Sequence, residues 1–149
     1  MDKVQFSVQI DAPVHTVWTT MLEDASYREW TRPFQEGSFF EGSWTVHSVI
    51  RFVAPDANGV LSGLIGRVVA KRTDEFVSVE YIGQVVGGID DTDSELARSI
   101  AGLHENYSFH EEGGVTTVTV DQDSAPEMVA MLSELWPKAL TALKELAEA

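Results

Sequence analysis

The chain has 149 residues, 44% hydrophobic and 23% charged, with 24 acidic against 10 basic side chains and a formal net charge of −14. That suits one globular domain over residues 1–149 and excludes disorder, which needs fewer large hydrophobes. The charge opposes phosphate backbones and anionic membrane surfaces, and Lys71-Arg72 is the only adjacent basic pair, so neither nucleic acid nor membrane is an expected partner.

Having no cysteine, the chain can form no disulfide, thiolate nucleophile or Cys-ligated metal site. No run has the apolar length of a signal peptide core or a membrane span, and the expected location is therefore the cytoplasm. From Lys3 to Ile10, Val4, Phe6, Val8 and Ile10 alternate with polar residues, the period of a strand with one wet and one buried face. Asp11 is placed to cap a helix with Pro13 in its first turn, and Val14, Val17, Trp18 and Met21 give that helix an apolar stripe. A second helical turn is expected over Ala25–Trp30, ending before Pro33.

Strand-like runs follow. Gly37–Gly42 is short and aromatic, and Trp44, Val46, Ser48, Ile50 and Phe52 share one face of the next predicted strand, opposite Thr45, His47 and Arg51. After a turn at Pro55–Gly59, Val60–Arg72 and Phe76–Val86 form a hairpin across Thr73–Glu75, with Gly63, Gly66 and Gly83 suited to bulges. Gly87–Ala101 is an acidic connection with a possible helical turn from Ser94, suited either to a lid or to a solvated insertion. A two-residue turn at Gly113-Gly114 pairs Phe109 with Val118 and Tyr107 with Val120 on one face.

Ser124-Ala-Pro-Glu127 has the pattern of a capping box opening a long helix. Met128, Leu132, Leu135, Ala139, Leu143 and Leu146 form its apolar stripe, flanked by Val129, Trp136 and Leu140, with Pro137 inside. The pattern predicts an α+β fold in which about six or seven antiparallel strands curve around the C-terminal helix, with two short helices after the first strand.

Tyr27-Arg-Glu-Trp30-Thr-Arg-Pro-Phe34, Glu41-Gly-Ser-Trp44, Glu75-Phe-Val-Ser-Val-Glu80-Tyr81, Glu105-Asn-Tyr107 and Trp136-Pro-Lys-Ala-Leu140 together resemble bacterial members of the family named after the activator of the heat-shock-protein-90 ATPase. That family lies in the START-like (SRPBCC) superfamily. The resemblance implies a helix-grip fold with a cavity between sheet and helix. It implies a lipid-like or aromatic, polyketide-like hydrophobic ligand, with a cyclase or aromatase as the enzymatic alternative. A chaperone partner and a place in stress response are a further alternative; the eukaryotic co-chaperone carries a separate docking domain for which this chain leaves no room.

The residues expected to line such a cavity are Trp30, Phe34, Trp44, Val46, Phe52, Tyr81, Tyr107, Met128, Leu132 and Trp136, although the same side chains would equally fill a solid core. Met128 and Met131 would make its mouth adaptable, and the Tyr107 hydroxyl is a candidate donor to a ligand carbonyl. Glu80 and Arg51 are either a buried acid with its partner or an exposed ion pair. His15 and His47 are expected in solvent, and His104 and His110, six residues apart on one strand face, are too distant to share a metal. Asp91–Glu95 lacks the glycine and distal glutamate of a calcium loop. With no Gly-x-Ser-x-Gly elbow, phosphate loop or His-Glu-x-x-His helix, the expectation is binding rather than catalysis, without cofactor or metal. The oligomeric state is left open.

Overall fold

A computed structural model describes residues 2–149. The order is β1 (Asp2–Ile10), α1 (Val14–Leu22), α2 (Asp24–Trp30), β2 (Phe39–Gly42), β3 (Val49–Pro55), β4 (Leu61–Arg72), β5 (Phe76–Val86), β6 (Ile89–Asp91), α3 (Glu95–Ile100), β7 (His104–Glu112), β8 (Val115–Ser124), a 3₁₀ turn (Pro126–Met128) and α4 (Val129–Glu148). The strands form one antiparallel sheet in the order β1-β8-β7-β5-β4-β3-β2, with the short β6 added to β5.

The last hairpin has the register predicted from its alternation. Phe109 pairs with Val118 and Tyr107 with Val120, and Gly113 and Gly114 take φ of 60° and 82°. A two-residue hairpin turn needs such left-handed backbone at both positions, which only glycine adopts at little cost. In β4 and β5 the register shifts between Ile65 and Gly66 and again between Val68 and Ala70. Gly66 and Gly83 flank the first shift, as anticipated. Gly63 has another role: a Cβ there would lie 1.8 Å from the Phe52 carbonyl oxygen, so β3 and β4 meet closely only because it has none.

Three local expectations are corrected. The strand predicted to begin at Trp44 begins at Val49, because Gly42 (φ 103°) and His47 (φ 77°) turn the chain between them. Asp11 caps no helix: α1 starts at Val14, whose N–H donates to Glu111 Oε1 at 2.6 Å, while the Asp11 N–H donates to Glu148 Oε2 at 2.8 Å. Side chains from β7 and α4 thus supply acceptors that the local sequence was expected to supply. The Ser124 capping box does not form either. Ser124 is the last residue of β8, paired with Asp2, and its hydroxyl donates to the Ala125 carbonyl.

α4 lies along β1 and the two short helices, burying Leu132, Trp136, Ala139, Leu140, Leu143 and Ala147 against the inner face of the sheet. The buried stripe is rotated from the predicted one: Leu135 and Leu146 are only half-buried, and Met128 is exposed. A small second cluster, Val53, Ile65 and Val85, packs apart from this core.

Candidate functional site

Between the first half of α4 and the strands β3, β4, β5, β7 and β8 the interior opens into a cavity of about 540 Å³. Eight of the ten expected lining residues surround it: Trp30, Phe34, Phe52, Tyr81, Tyr107, Met128, Leu132 and Trp136. Trp44 and Val46 do not. With no strand beneath them they fall beside the cavity, and Trp44 packs into the solid core against Phe40, Phe52 and Tyr107, its ring centroid 5.6, 5.7 and 6.2 Å from theirs.

Trp136 divides open from filled interior. Its ring stacks on Trp30 at 5.9 Å and meets Phe34 and Tyr107 edge-on at 4.9 and 6.0 Å. Its Nε1 donates to Gln122 Oε1 at 2.8 Å. Aromatic packing and one buried hydrogen bond therefore fix the indole in a single pose.

Apolar side chains dominate the mouth, with Glu127 exposed beside them. Met128 and Met131, each 42% exposed, face Leu96 and Ile100 of α3, the helical turn expected from Ser94. Ser94 Oγ accepts the Ala97 N–H at 3.1 Å and donates to Asp91 Oδ2 at 2.5 Å. Asp91 also accepts from the N–H groups of Asp93 and Ser94 and from Gln84 Nε2, at 3.1, 3.0 and 3.0 Å. These bonds, those from Ser94 foremost, hold its carboxyl well below the usual range. The acidic run is thus a brace for the segment bordering the cavity.

Glu105, not singled out from the sequence, is the main polar group of the cavity wall. Tyr81 donates its hydroxyl to Glu105 Oε1 and Tyr107 to Oε2. Burial pushes this carboxyl above the ordinary range, while the Tyr107 and Tyr81 hydroxyls act in the opposite sense. The phenols of Tyr81, Tyr107 and Tyr27 are pushed well up, by burial first and by the charge of Glu105 second. The surface Glu105 retains faces the cavity. The signal for it was available: the register that turns Tyr107 and Phe109 inward turns Glu105 inward too. The Tyr107 hydroxyl, expected to await a ligand carbonyl, is engaged by Glu105.

Glu80 and Arg51 are not partners. Arg51 Nη2 reaches Asp90 Oδ2 at 2.5 Å and so ties β3 to β6, whereas Glu80 lies opposite Arg67 and His104. His47 is exposed, as is His15, whose Nδ1 lies 2.9 Å from Asp74 Oδ1. His104 lies on the outer face, near Asp123. No helix among the described residues is long and apolar enough to cross a membrane.

No family model matches the sequence, and no curated protein matches it significantly. Solved structures do resemble it. Protein CV1439 of Chromobacterium violaceum superposes with a TM-score of 0.70 at 15% identity, over 100% of this chain and 99% of that one. The Aha1 dimer of Colwellia psychrerythraea, a solution structure, gives 0.67 at 16% identity over 99% and 97%. DynU16, from the dynemicin biosynthetic locus, gives 0.70 at 16% identity over all of this chain and 48% of its own. At these identities the likeness establishes the fold: the chain has the START-like, helix-grip architecture that its motifs resemble, and function has to be argued from the site.

Proposed function

We propose that this protein binds a small, predominantly apolar molecule in the cavity beneath the first half of α4. One observation carries the reading: an opening of about 540 Å³, bounded by aromatic and aliphatic side chains, holds one organised polar cluster, Glu105 with Tyr81 and Tyr107, on its wall. Ligand sites commonly combine an apolar enclosure of several hundred Å³ with a few fixed polar groups that set orientation. A lipid-like or a flat aromatic molecule would satisfy such a wall.

The neutral apolar dye N-phenyl-1-naphthylamine tests the reading. The native protein should shift its emission to the blue and gain thermal stability, by about 2.7 kcal/mol of unfolding free energy at a hundredfold excess over Kd. Leu132→Trp, which places an indole in the opening, should abolish both responses; a variant that binds as well as the native protein would place the dye elsewhere.

Glu105 favours a second reading, in which the bound molecule also undergoes acid–base chemistry of the cyclase or aromatase kind, because a carboxyl that borders the cavity and is held above its ordinary range by burial is suited to exchange a proton with the occupant. Incubating the native protein and Glu105→Gln with linear polyketide mimics, and finding the same slow spontaneous product distribution in both, would leave binding alone.

A further inference from the structure

The residues that line the cavity include no Lys, Arg or His. Three carboxylic acids are among them. Asp123 brings its own counter-ion, with Lys3 Nζ 2.8 Å from its Oδ1 on the outer face of the sheet, and Glu127 is exposed at the mouth. Glu105 is the deep one, and it has hydrogen-bond donors but no cation. A carboxylate held by two phenols is solvated in part but has no counter-charge, so burial favours its protonated form unless something positive approaches.

The surrounding wall suits a cation as well. Tyr27, Trp30, Phe34, Phe52, Tyr107 and Trp136 all border the opening. They form a connected aromatic set, with centroid separations of 5.3 Å for Tyr27–Trp30, 6.3 Å for Tyr27–Phe52 and 5.9 Å for Trp30–Trp136. Aromatic rings attract a positive charge near their faces, most strongly where water is excluded. The chain's net charge of −14 would draw cations to the mouth and repel anions.

From this juxtaposition we propose that the occupant is a hydrophobic cation, a protonated amine or other nitrogen base on an apolar body, whose positive head is held between Glu105 and the aromatic wall. The proposal rests on the cavity being a ligand site and narrows the class of ligand it takes. Fatty acids and other apolar anions are thereby disfavoured, because their head group would meet Glu105 with no cation to receive it.

Three probes of matched size test it: 4-phenylbutylamine, 4-phenylbutanol and 4-phenylbutyrate, with binding followed by calorimetry. The amine should bind about tenfold or more tighter than the alcohol, with the carboxylate weakest. Glu105→Gln should lower the amine to the level of the alcohol, whereas Glu127→Gln at the mouth should preserve the order. A pH series on the native protein needs no variant. Glu105 is faced by Tyr81 of β5, Tyr107 of β7, Tyr27 of α2 and Gln122 of β8, none of them ionised near neutrality, while Asp123 of β8 is paired with Lys3 on the outer face. The preference for amine over alcohol should therefore fall as acid neutralises the Glu105 carboxylate while the amine stays charged. Binding of alcohol and amine with equal strength, or a preference independent of pH, overturns the cation proposal and leaves the cavity reading intact. Failure of all three probes to bind overturns the cavity reading itself.

Discussion

The two halves of α4 cover different interiors. From Ala139 onward the helix sits on solid core: Ala139, Leu140, Leu143 and Ala147 are buried with Ile10, Val17, Met21 and Val118, and Trp18 meets Phe109 edge-on at 5.0 Å. Before Trp136 the same apolar stripe borders open space, with Leu132 on the wall and Met128 and Met131 at the mouth. No cavity-lining residue comes from α1, β1 or α4 beyond Trp136. Small residues at 139 and 147 let the far end of the helix lie close to β1 and α1. At the near end, Trp136, wedged among Trp30, Phe34 and Tyr107 and tied to Gln122, stands between helix and sheet. One half of the helix therefore holds the fold together, and the other leaves room for a ligand.

Matched truncations should break this comparison most directly. Leu143 has no exposed surface, and Leu143→Ala should destabilise the protein by about 3 kcal/mol, within the range for core leucines. Leu132 is almost as buried, at 7%. One side of it faces the opening, however, where it already lacks packing partners, so Leu132→Ala should cost less than about half as much. Urea unfolding of both variants is the check, and equal losses would mean that the interior is filled at both ends in solution.

Gln122→Ala sharpens the boundary between the halves. It removes the acceptor for Trp136 Nε1 and leaves that donor buried, which should cost about 1–3 kcal/mol. Indole emission should change in the same variant, because the ring that separates core from cavity is freed to move. A stability loss with unaltered fluorescence would show that Gln122 supports the sheet without holding Trp136.

How far the sequence revealed this division differs from residue to residue. Register was legible wherever alternation was strict and turn chemistry agreed, as in the hairpin at Gly113-Gly114. The starts of α1 and α4 were not, because the caps expected at Asp11 and Ser124 are local motifs competing with tertiary partners, whereas the turn expected from Ser94 does begin there. Glu111 and Glu148 supply the acceptors around α1, and pairing with Asp2 keeps Ser124 in the sheet. Trp44 was misplaced for a related reason: its alternation with Val46, Ser48 and Ile50 is genuine, but the left-handed backbone at Gly42 and His47 breaks the strand that would use it. Eight of the ten side chains chosen from period and residue type nevertheless border the cavity. The hollow itself was not, since an apolar side chain reads alike whether its neighbour is another side chain or a void. Glu105 lay within reach of the register argument but was passed over in favour of Glu80, which lies on the adjacent strand opposite Arg67.

The smallest expected effect concerns the rim. α3 has six residues, too few to be stable without tertiary support, and Ser94 both caps it and ties it to Asp91. Ser94→Ala should cost about 1 kcal/mol, the usual loss for a helix cap. Because α3 stands at the open end, that loss should stay local. Hydrogen exchange of the 97–101 amides should quicken about fivefold, the factor that corresponds to 1 kcal/mol, while amides of β7 and β8 keep their protection. Acceleration spread evenly through the sheet would mean that the rim and the packed end open as one unit, and that the cavity can admit a ligand only when the whole fold loosens. Acceleration confined to α3 would identify the bracing of this short helix as the element that governs access to Glu105.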